Sequence, residues 1–341
     1  MVKVSVVVPV YGTEKFIERC ARSLFEQTLD DIEYIFVDDC SPDNSVTLLR
    51  DILKEYPMRK RHTFILRHNT NKGLPLARKT GLDKATGNYI IHCDSDDWVE
   101  KNAYEKLYQA ALATDSDIVF CGYYAVGDKQ KVPIQSNLTK TDSDYFLRAL
   151  LAGKFMGSLC LALCRRELYN YIQEYPTANM IEDLALMVQL VHASKKCTMI
   201  PDSLYNYFYR ESSISYAKGY EQSCNKVKQA STNMDLIIRF LESAREGACL
   251  YANEILALKV SARFFMEDVM SDKRAMAAWE NIYPEIEDHN ILFSKIPLLH
   301  KLHYYSVKFR ILPQIRTIKR KIYNPIVKKL GKSTSHSDTL N

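Results

Sequence analysis

Val4–Val8 is a continuous β-branched run, preceded by Lys3 and closed by Pro9-Val10-Tyr11-Gly12. A run that is apolar at nearly every position predicts a strand covered on both faces, as in a parallel sheet. Thr13 then precedes Phe16, Ile17, Cys20, Leu24 and Phe25, whose spacing predicts a helix with Thr13 as its cap. Tyr34–Val37 predicts a second strand that runs into Asp38-Asp39-Cys40-Ser41-Pro42-Asp43. Asp43 stands where it can cap a helix with Val46, Leu49, Ile52 and Leu53 facing inward. Phe64–Leu66, Tyr89–Cys93 and Ile118–Cys121 predict three more strands, and Leu76–Ala85 a helix between the first two of them. This alternation predicts an α/β sheet that binds its ligands at the C-terminal ends of the strands. Past about residue 215 the strand signal stops. Gln222–Leu241, Tyr251–Met270 and Arg274–Tyr283 predict helices, and Ser333–Asn341 is a polar tail expected to be disordered.

Composition narrows this picture. With 341 residues, 47% of them hydrophobic and 26% charged, the chain suffices for one large or two moderate domains. The net charge of +5 is uneven: residues 1–288 carry 35 Lys and Arg against 40 Asp and Glu, whereas residues 289–337 carry eleven basic residues and no acid. Nine cysteines without C-x-x-C spacing are expected to be reduced thiols, which points to a cytosolic compartment and to no zinc site. The N-terminal apolar run is too short for a secretory signal, and no run approaches the roughly 18–20 apolar residues that span a bilayer.

Candidate chemistry gathers at the predicted strand ends. Asp94, Asp96 and Asp97 follow an apolar strand directly. Crowded carboxylates repel unless a cation or donors neutralise them. One reading is a divalent Mn²⁺ or Mg²⁺ ion holding a diphosphate; the other is a solvated turn with Asp as helix cap. Asp38 and Asp39 end a second strand beside Pro9, Val10 and Tyr11, a crevice suited to a nucleotide, though each could equally be a turn or packing residue. Asn71 and Gly73 lie in a loop ahead of Arg78, whose fork suits a phosphate. Neither GxGxxG nor GxxxxGK[ST] occurs, so neither a dinucleotide fold nor a P-loop enzyme is supported.

Taken in order, VSVVVPVYG (4–12), IFVDDCSPDNS (35–45), NTNKGLPLARKTGLDKATGNYI (69–90), HCDSDD (92–97), IED (181–183) and YNYFYRESSIS (205–215) resemble glycosyltransferase family 2, with the GT-A fold. The resemblance covers roughly residues 1–215. It implies a GT-A catalytic domain there, with a donor-binding part at about 1–120 and an acceptor-side part at 121–215. A helical, basic region over 216–332 and a tail over 333–341 follow. It also implies inverting transfer of a sugar from a nucleotide diphosphate sugar, usually a UDP-sugar, to a saccharide or lipid-linked acceptor in cell-surface polysaccharide or glycolipid synthesis. Carried over by position, Pro9, Val10, Tyr11, Asp38, Asp39, Asn71, Gly73, Arg78, Asp94, Ser95 and Arg210 would bind the donor. Asp96, with Asp94, would hold the metal; Asp183 would be the general base and Glu182 its acceptor-side neighbour. The chain departs from the family at Cys160–Cys164, where Trp-Asn-Lys-Leu is frequent.

The basic end, 295–332, interleaves Lys and Arg with Leu, Ile, Phe and Tyr. It is expected to lie on an anionic membrane surface, unless Pro297, Pro313 and Pro325 break it into short helices packed on the catalytic domain. No nucleic-acid recognition motif accompanies it. Two other functions fit parts of the sequence: a sugar-phosphate nucleotidyltransferase, and a catalytically silent nucleotide- or glycan-binding homologue. Tyr11-Gly12-Thr13-Glu14, in place of a basic Gly-rich loop, disfavours the first. The intact Asp39, Asp94, Asp96 and Asp183 disfavour the second.

Overall fold

A computed structural model describes residues 1–127, 130–209, 219–244 and 250–309. The chain forms two compact units, Met1–Glu211 and Ser212–Asn341.

In the first unit the strands β1 (Val4–Val10) and β2 (Ile32–Asp38) are buried at every position, as their unbroken apolar runs require. They pair in parallel, Val4 with Ile32 through Val10 with Asp38. β3 (Thr63–Arg67) extends the parallel sheet beyond β2, and β4 (Tyr89–His92) extends it beyond β1. Helices α1 (Ile17–Phe25), α2 (Ser45–Lys54), the single turn α3 (Pro57–Lys60) and α4 (Leu74–Lys84) connect them. The sheet is therefore α/β as expected, flanked by helices.

Beyond β4 the sheet becomes mixed. β5 (Trp98–Val99), α5 (Ala103–Thr114), β6 (Ile118–Gly127), β7 (Gln130–Ile134), α6 (Ser143–Leu151), β8 (Ala162–Arg165), α7 (Glu182–Ala193) and β9 (Cys197–Phe208) follow. Among the described residues the sheet has nine strands in the order β3-β2-β1-β4-β8-β6-β9-β5, with β7 on β6. Four of these, β5, β7, β8 and β9, are not among the strands predicted from apolar runs. β5 has two residues, β8 is the end of an apolar stretch whose start, Leu159–Leu161, is a tight turn, and β9 contains Pro201 and Asp202. Pro201 is tolerated because the β6–β9 register shifts on either side of Gly122.

Two local expectations change. The hydroxyl of Thr13 does not cap α1; its carbonyl accepts from the N–H groups of Phe16 (2.8 Å) and Ile17 (2.9 Å), so a turn precedes the helix. Asp43 accepts from the N–H groups of Ser45 (3.2 Å) and Glu14 (2.9 Å), joining the head of α2 to the loop after β1.

The second unit is helical: α8 (Tyr220–Ser243), α9 (Ala252–Ala262) continuing as a tighter turn over Arg263–Val269, α10 (Ala275–Glu280), α11 (Asp288–Phe293) and α12 (Leu298–Lys308). Its core centres on Trp279 and Arg263. The buried guanidinium lies 4.5 Å from the indole and donates to the carbonyls of Ile282 (2.8 Å) and Tyr283 (3.0 Å). Such stacking with satisfied donors is what permits a buried cation.

Helix α4 carries site residues, and its seat on the sheet is set by a glycine. A Cβ at Gly81 would lie 2.4 Å from Val7 Cγ1. Gly81→Ala is expected to destabilise the fold by about 1–3 kcal/mol through overpacking, outweighing the ~1 kcal/mol that alanine gains in a helix. Thermal unfolding measures this, and an unchanged or raised melting temperature would contradict so close a seat.

Candidate active site

The parallel half of the sheet delivers β1, β2 and β4 to one edge. At the end of β1, Pro9 and Val10 are buried and Tyr11 is exposed. The ends of β1 and β2 are joined by Asp39 N–H donating to the Val10 carbonyl (2.9 Å). Asp38 is buried; it accepts from the Ser41 N–H (2.8 Å) and pairs with Arg67 (3.3 Å). Asp39 is also buried. Its carboxylate meets His68 Nδ1 (2.7 Å) and accepts from the N–H groups of Lys72 (2.8 Å) and Gly73 (2.8 Å). Asp39 thus fixes the loop that precedes α4. Asn71 Oδ1 accepts from the same Gly73 N–H (3.0 Å). Gly73 has φ +88°, and a Cβ there would meet Asn179 Oδ1 at 3.0 Å. That oxygen accepts from the Leu74 N–H (3.1 Å), capping α4 from the segment that leads into α7.

The acidic turn after β4 divides into distinct roles. Asp97 is buried and accepts from the Tyr205 hydroxyl (2.7 Å) and the Phe208 N–H (2.7 Å), so it ties the turn to β9. The Asp94 N–H donates back to Tyr205 Oη (3.2 Å), and Ser95 is buried beneath. Asp96 has its backbone carbonyl held by Arg19 Nη2 (3.1 Å) from α1, the Arg19 guanidinium lying 3.6 Å from the Trp98 ring centre. Asp94 turns its carboxylate toward Arg78.

Arg78 is the hub. Fully buried on α4, it donates from Nη2 to Asp94 (2.8 Å) and from Nη1 to Asp183, with Glu182 at 3.8 Å. Burial works against its charge, but Asp183, Asp94 and Glu182 hold its pKa well above the ordinary value. The fork expected to face a phosphate therefore grips carboxylates instead. Glu182, read from the sequence as acceptor-side, is buried against the same guanidinium. Burial and the charge of Asp183 push its carboxyl well up. Asp183 sits in the first turn of α7, where the helix dipole favours an acid. Its second oxygen accepts from Ser158 Oγ (2.8 Å). Ile181, immediately before, has φ +57° and ψ +24°. A β-branched residue in this left-handed region costs about 1–3 kcal/mol, which neighbouring contacts must offset.

Asp94, Asp183 and Glu182 crowd about the Arg78 guanidinium, and Asp96 lies beside Arg19. Burial, with Arg78 opposing and the like charges of Asp183 and Asp96 adding, pushes the Asp94 carboxyl up to about 6. Such crowding of carboxylates suits a divalent cation. No group of three or more His, Cys, Asp or Glu among the described residues is placed to hold a metal ion. Mg²⁺ and Mn²⁺ are commonly held by one or two carboxylates with phosphate oxygens completing the shell, so the acidic turn has carboxylates enough in number for such an ion.

Asp94 and Asp183 thus meet at Arg78, and Asp39 holds the Gly73 N–H next to the Leu74 N–H that Asn179 caps. Arg210 lies outside the described residues. Ser158, Arg19, Asn179 and Tyr205 were not assigned roles from the sequence. Each acts through hydrogen bonds or ring contacts to residues distant in sequence, although Gly157-Ser158 ahead of a tight turn is a weak signal.

Residues 5–172 match the family described as glycosyl transferase family 2. The uncharacterized glycosyltransferase EpsJ of Bacillus subtilis is 32% identical over 246 residues, covering 67% of this chain and 68% of EpsJ. Among solved structures, S. aureus TarS in complex with UDP is similar with a TM-score of 0.53 at 19% identity, over 82% of this chain and 89% of that one. The mannosyltransferase PcManGT from Pyrobaculum calidifontis, in complex with GDP-Man and Mn²⁺, gives a TM-score of 0.57 at 15% identity, over 94% and 88%. At these identities the two structures bear on the fold alone.

Arg78→Leu should leave the carboxylates of Asp94, Glu182 and Asp183 without their counter-charge. Removing one partner of a buried ion pair costs about 3–5 kcal/mol, readable as a lower denaturation midpoint. Arg78→Lys, which keeps the charge and loses the fork, should fall between. A Leu variant as stable as the parent would remove Arg78 from its place as hub.

Proposed function

The chain belongs to glycosyl transferase family 2, and from that premise we propose that it transfers a sugar, with inversion, from a UDP-sugar to an acceptor hydroxyl with a divalent ion assisting. The observation that carries this reading is the Arg78 fork, which reaches Asp183 of α7 across 105 residues of sequence and also holds Asp94 of the acidic turn. It brings the candidate metal carboxylate and the candidate base to one edge of the sheet.

Tyr11 offers an exposed ring face to the nucleobase beside the Asp39-fixed loop, with Pro9, Val10 and Asp38 forming the wall behind. Asn71 and Gly73 shape the loop bordering the donor. Asp96 and Asp94 are the proposed ligands of Mn²⁺ or Mg²⁺, which would supply Lewis-acid neutralisation of charge on the departing diphosphate. Arg19 steadies Asp96 through its carbonyl, and Asp97 and Tyr205 steady the turn.

Inversion needs the acceptor oxygen to attack the anomeric carbon from the face opposite the diphosphate, losing its proton as it does so. Asp183 is the proposed general base. Each carboxylate oxygen has two lone-pair directions. Arg78 takes one on Oδ1 and Ser158 one on Oδ2, so both oxygens retain a direction for an incoming hydroxyl. Ser158 and Arg78 orient the base, and Glu182 balances the charge on Arg78. The acceptor is proposed to be a saccharide or lipid-linked hydroxyl met at the cytoplasmic side of a membrane. Among the described residues no helix is long and apolar enough to cross one.

Titration calorimetry with UDP, with and without Mn²⁺, tests the donor half; binding indifferent to the metal would remove Asp96 and Asp94 as its ligands. Asp96→Ala should fold and lose the metal-dependent part of both UDP binding and turnover. Asp183→Asn should retain UDP affinity while transfer falls by about 10²–10⁴-fold, the usual contribution of a positioned base. Transfer at the parental rate in Asp183→Asn would assign the base elsewhere.

A further inference from the structure

Helix α12, Leu298–Lys308, carries apolar residues on two sides. On one side His300, His303, Tyr304 and Val307 turn inward: the His300 and His303 rings lie 5.4 Å and 4.0 Å from Phe264, and Tyr304 lies 5.0 Å from Trp279. On the other side Leu298, Leu302, Tyr305 and Phe309 recur at helical spacing, with Leu299 beside them. Leu298 is 69% exposed, Leu302 60% and Phe309 65%. The Tyr305 and Phe309 rings stack 5.8 Å apart, giving the stripe a defined aromatic end. Leu292 and Phe293, just upstream, are exposed as well. A surface this apolar over so short a stretch is uncommon on a protein that remains free in water.

Charge selects the occupant. Lys295 is exposed beside the stripe, and residues 289–337 carry eleven Lys and Arg without one acid. Lys301 and Lys308 flank it. Lys301 donates to the carbonyls of Leu292 (2.9 Å) and Ser294 (2.7 Å), and Lys308 pairs with Asp288, so α11 and α12 hold each other's orientation. Protein interfaces are depleted in lysine, whereas an interfacial helix on anionic lipid pairs an apolar stripe with lysine and arginine.

We infer that the outward stripe of α12 is a membrane-surface contact. Leu298, Leu302 and Phe309 enter the acyl boundary of an anionic leaflet, and Lys295 beside them meets its headgroups. With eleven residues, α12 is far too short to span a bilayer, so it lies in the surface plane. The inference rests on the proposed function only in that a lipid-linked acceptor would be met at such a surface.

The test uses the full chain, sedimented with vesicles of phosphatidylcholine alone or mixed with phosphatidylglycerol. Partition into the mixed vesicles is expected, weakening with added salt, and the combined variant Leu298→Ser, Leu302→Ser, Phe309→Ser should partition about tenfold less or worse. Because these side chains are exposed, the variant should melt as the parent does and keep its UDP affinity. Loss of vesicle binding with intact UDP binding then separates this contact from the transferase site. As a second probe, Leu302→Trp preserves the stripe and should add blue-shifted emission on the mixed vesicles only. A parent that stays in the supernatant, a triple variant that binds equally, or emission that does not move would overturn the inference. So would a parental dimer that the triple variant dissolves, since a second copy would then cover the stripe.

Discussion

One buried guanidinium sets the arrangement of the acidic cleft. Arg78 lies where three chain segments meet, and its buried charge would be costly there without Asp94, Asp183 and Glu182 around it. Those carboxylates in turn could not crowd together without it. The dependence is mutual, and it is geometric as well as electrostatic. Arg78 engages two carboxylates with two different terminal nitrogens, which a lysine ammonium cannot reproduce at fixed angles. Its position follows from the fold beneath it. Gly81 lies one turn further along α4, on the same side of the helix, and the missing Cβ lets the helix rest on Val7 of β1. A packing contact between a helix and the first strand thereby fixes where two acids, distant in sequence, come together.

The three aspartates of the acidic turn show how local chemistry separates residues that sequence alone treats alike. Asp97 has both oxygens engaged by Tyr205 and Phe208 and anchors the turn to β9. Asp94 gives one oxygen to Arg78. Asp96 is steadied through its backbone, its carbonyl held by an arginine stacked on Trp98. Any ion at this turn would therefore meet a scaffold fastened from α1, α4 and β9 at once. That division explains why clustered acids are tolerated here: one is held by two hydrogen bonds, one shares the Arg78 cation, and the third lies beside Arg19.

How much of this could be read beforehand depends on the length scale of each signal. β1, β2 and β4 are buried on both faces, so their largely apolar runs are visible without any structure, and the acids at the ends of β2 and β4 mark where those strands stop. In the mixed half β6 left a comparable trace and its neighbours did not. β5 spans two residues, β8 completes an apolar stretch that opens as a tight turn at Leu159–Leu161, and β9 passes through Pro201 and Asp202 only because the pairing with β6 shifts there. Motif order located Asp94 and Asp183. Nothing in the order could show that Arg78 would be buried between them, because a forked arginine before an acidic turn suits a phosphate and a carboxylate equally well. Ser158 and Asn179 were invisible for a related reason: a single polar side chain acquires its role only from what folds against it.

Asn179 completes the path through the cleft. Asp39 fixes the backbone at Lys72 and Gly73; the next N–H, that of Leu74, is held by Asn179; and Ile181, two residues on, is forced into a left-handed conformation before α7 begins at Glu182. Such strain persists only when contacts on both sides over-determine it. Here Asn179 restrains the approach and Arg78 restrains Asp183 just beyond. The Asp39 loop and the first turn of α7 are therefore joined by one short path of hydrogen bonds. The unfavourable backbone at Ile181 sits within that path, between the residue that caps α4 and the acid that Arg78 holds, so the contacts on either side are what keep it in place.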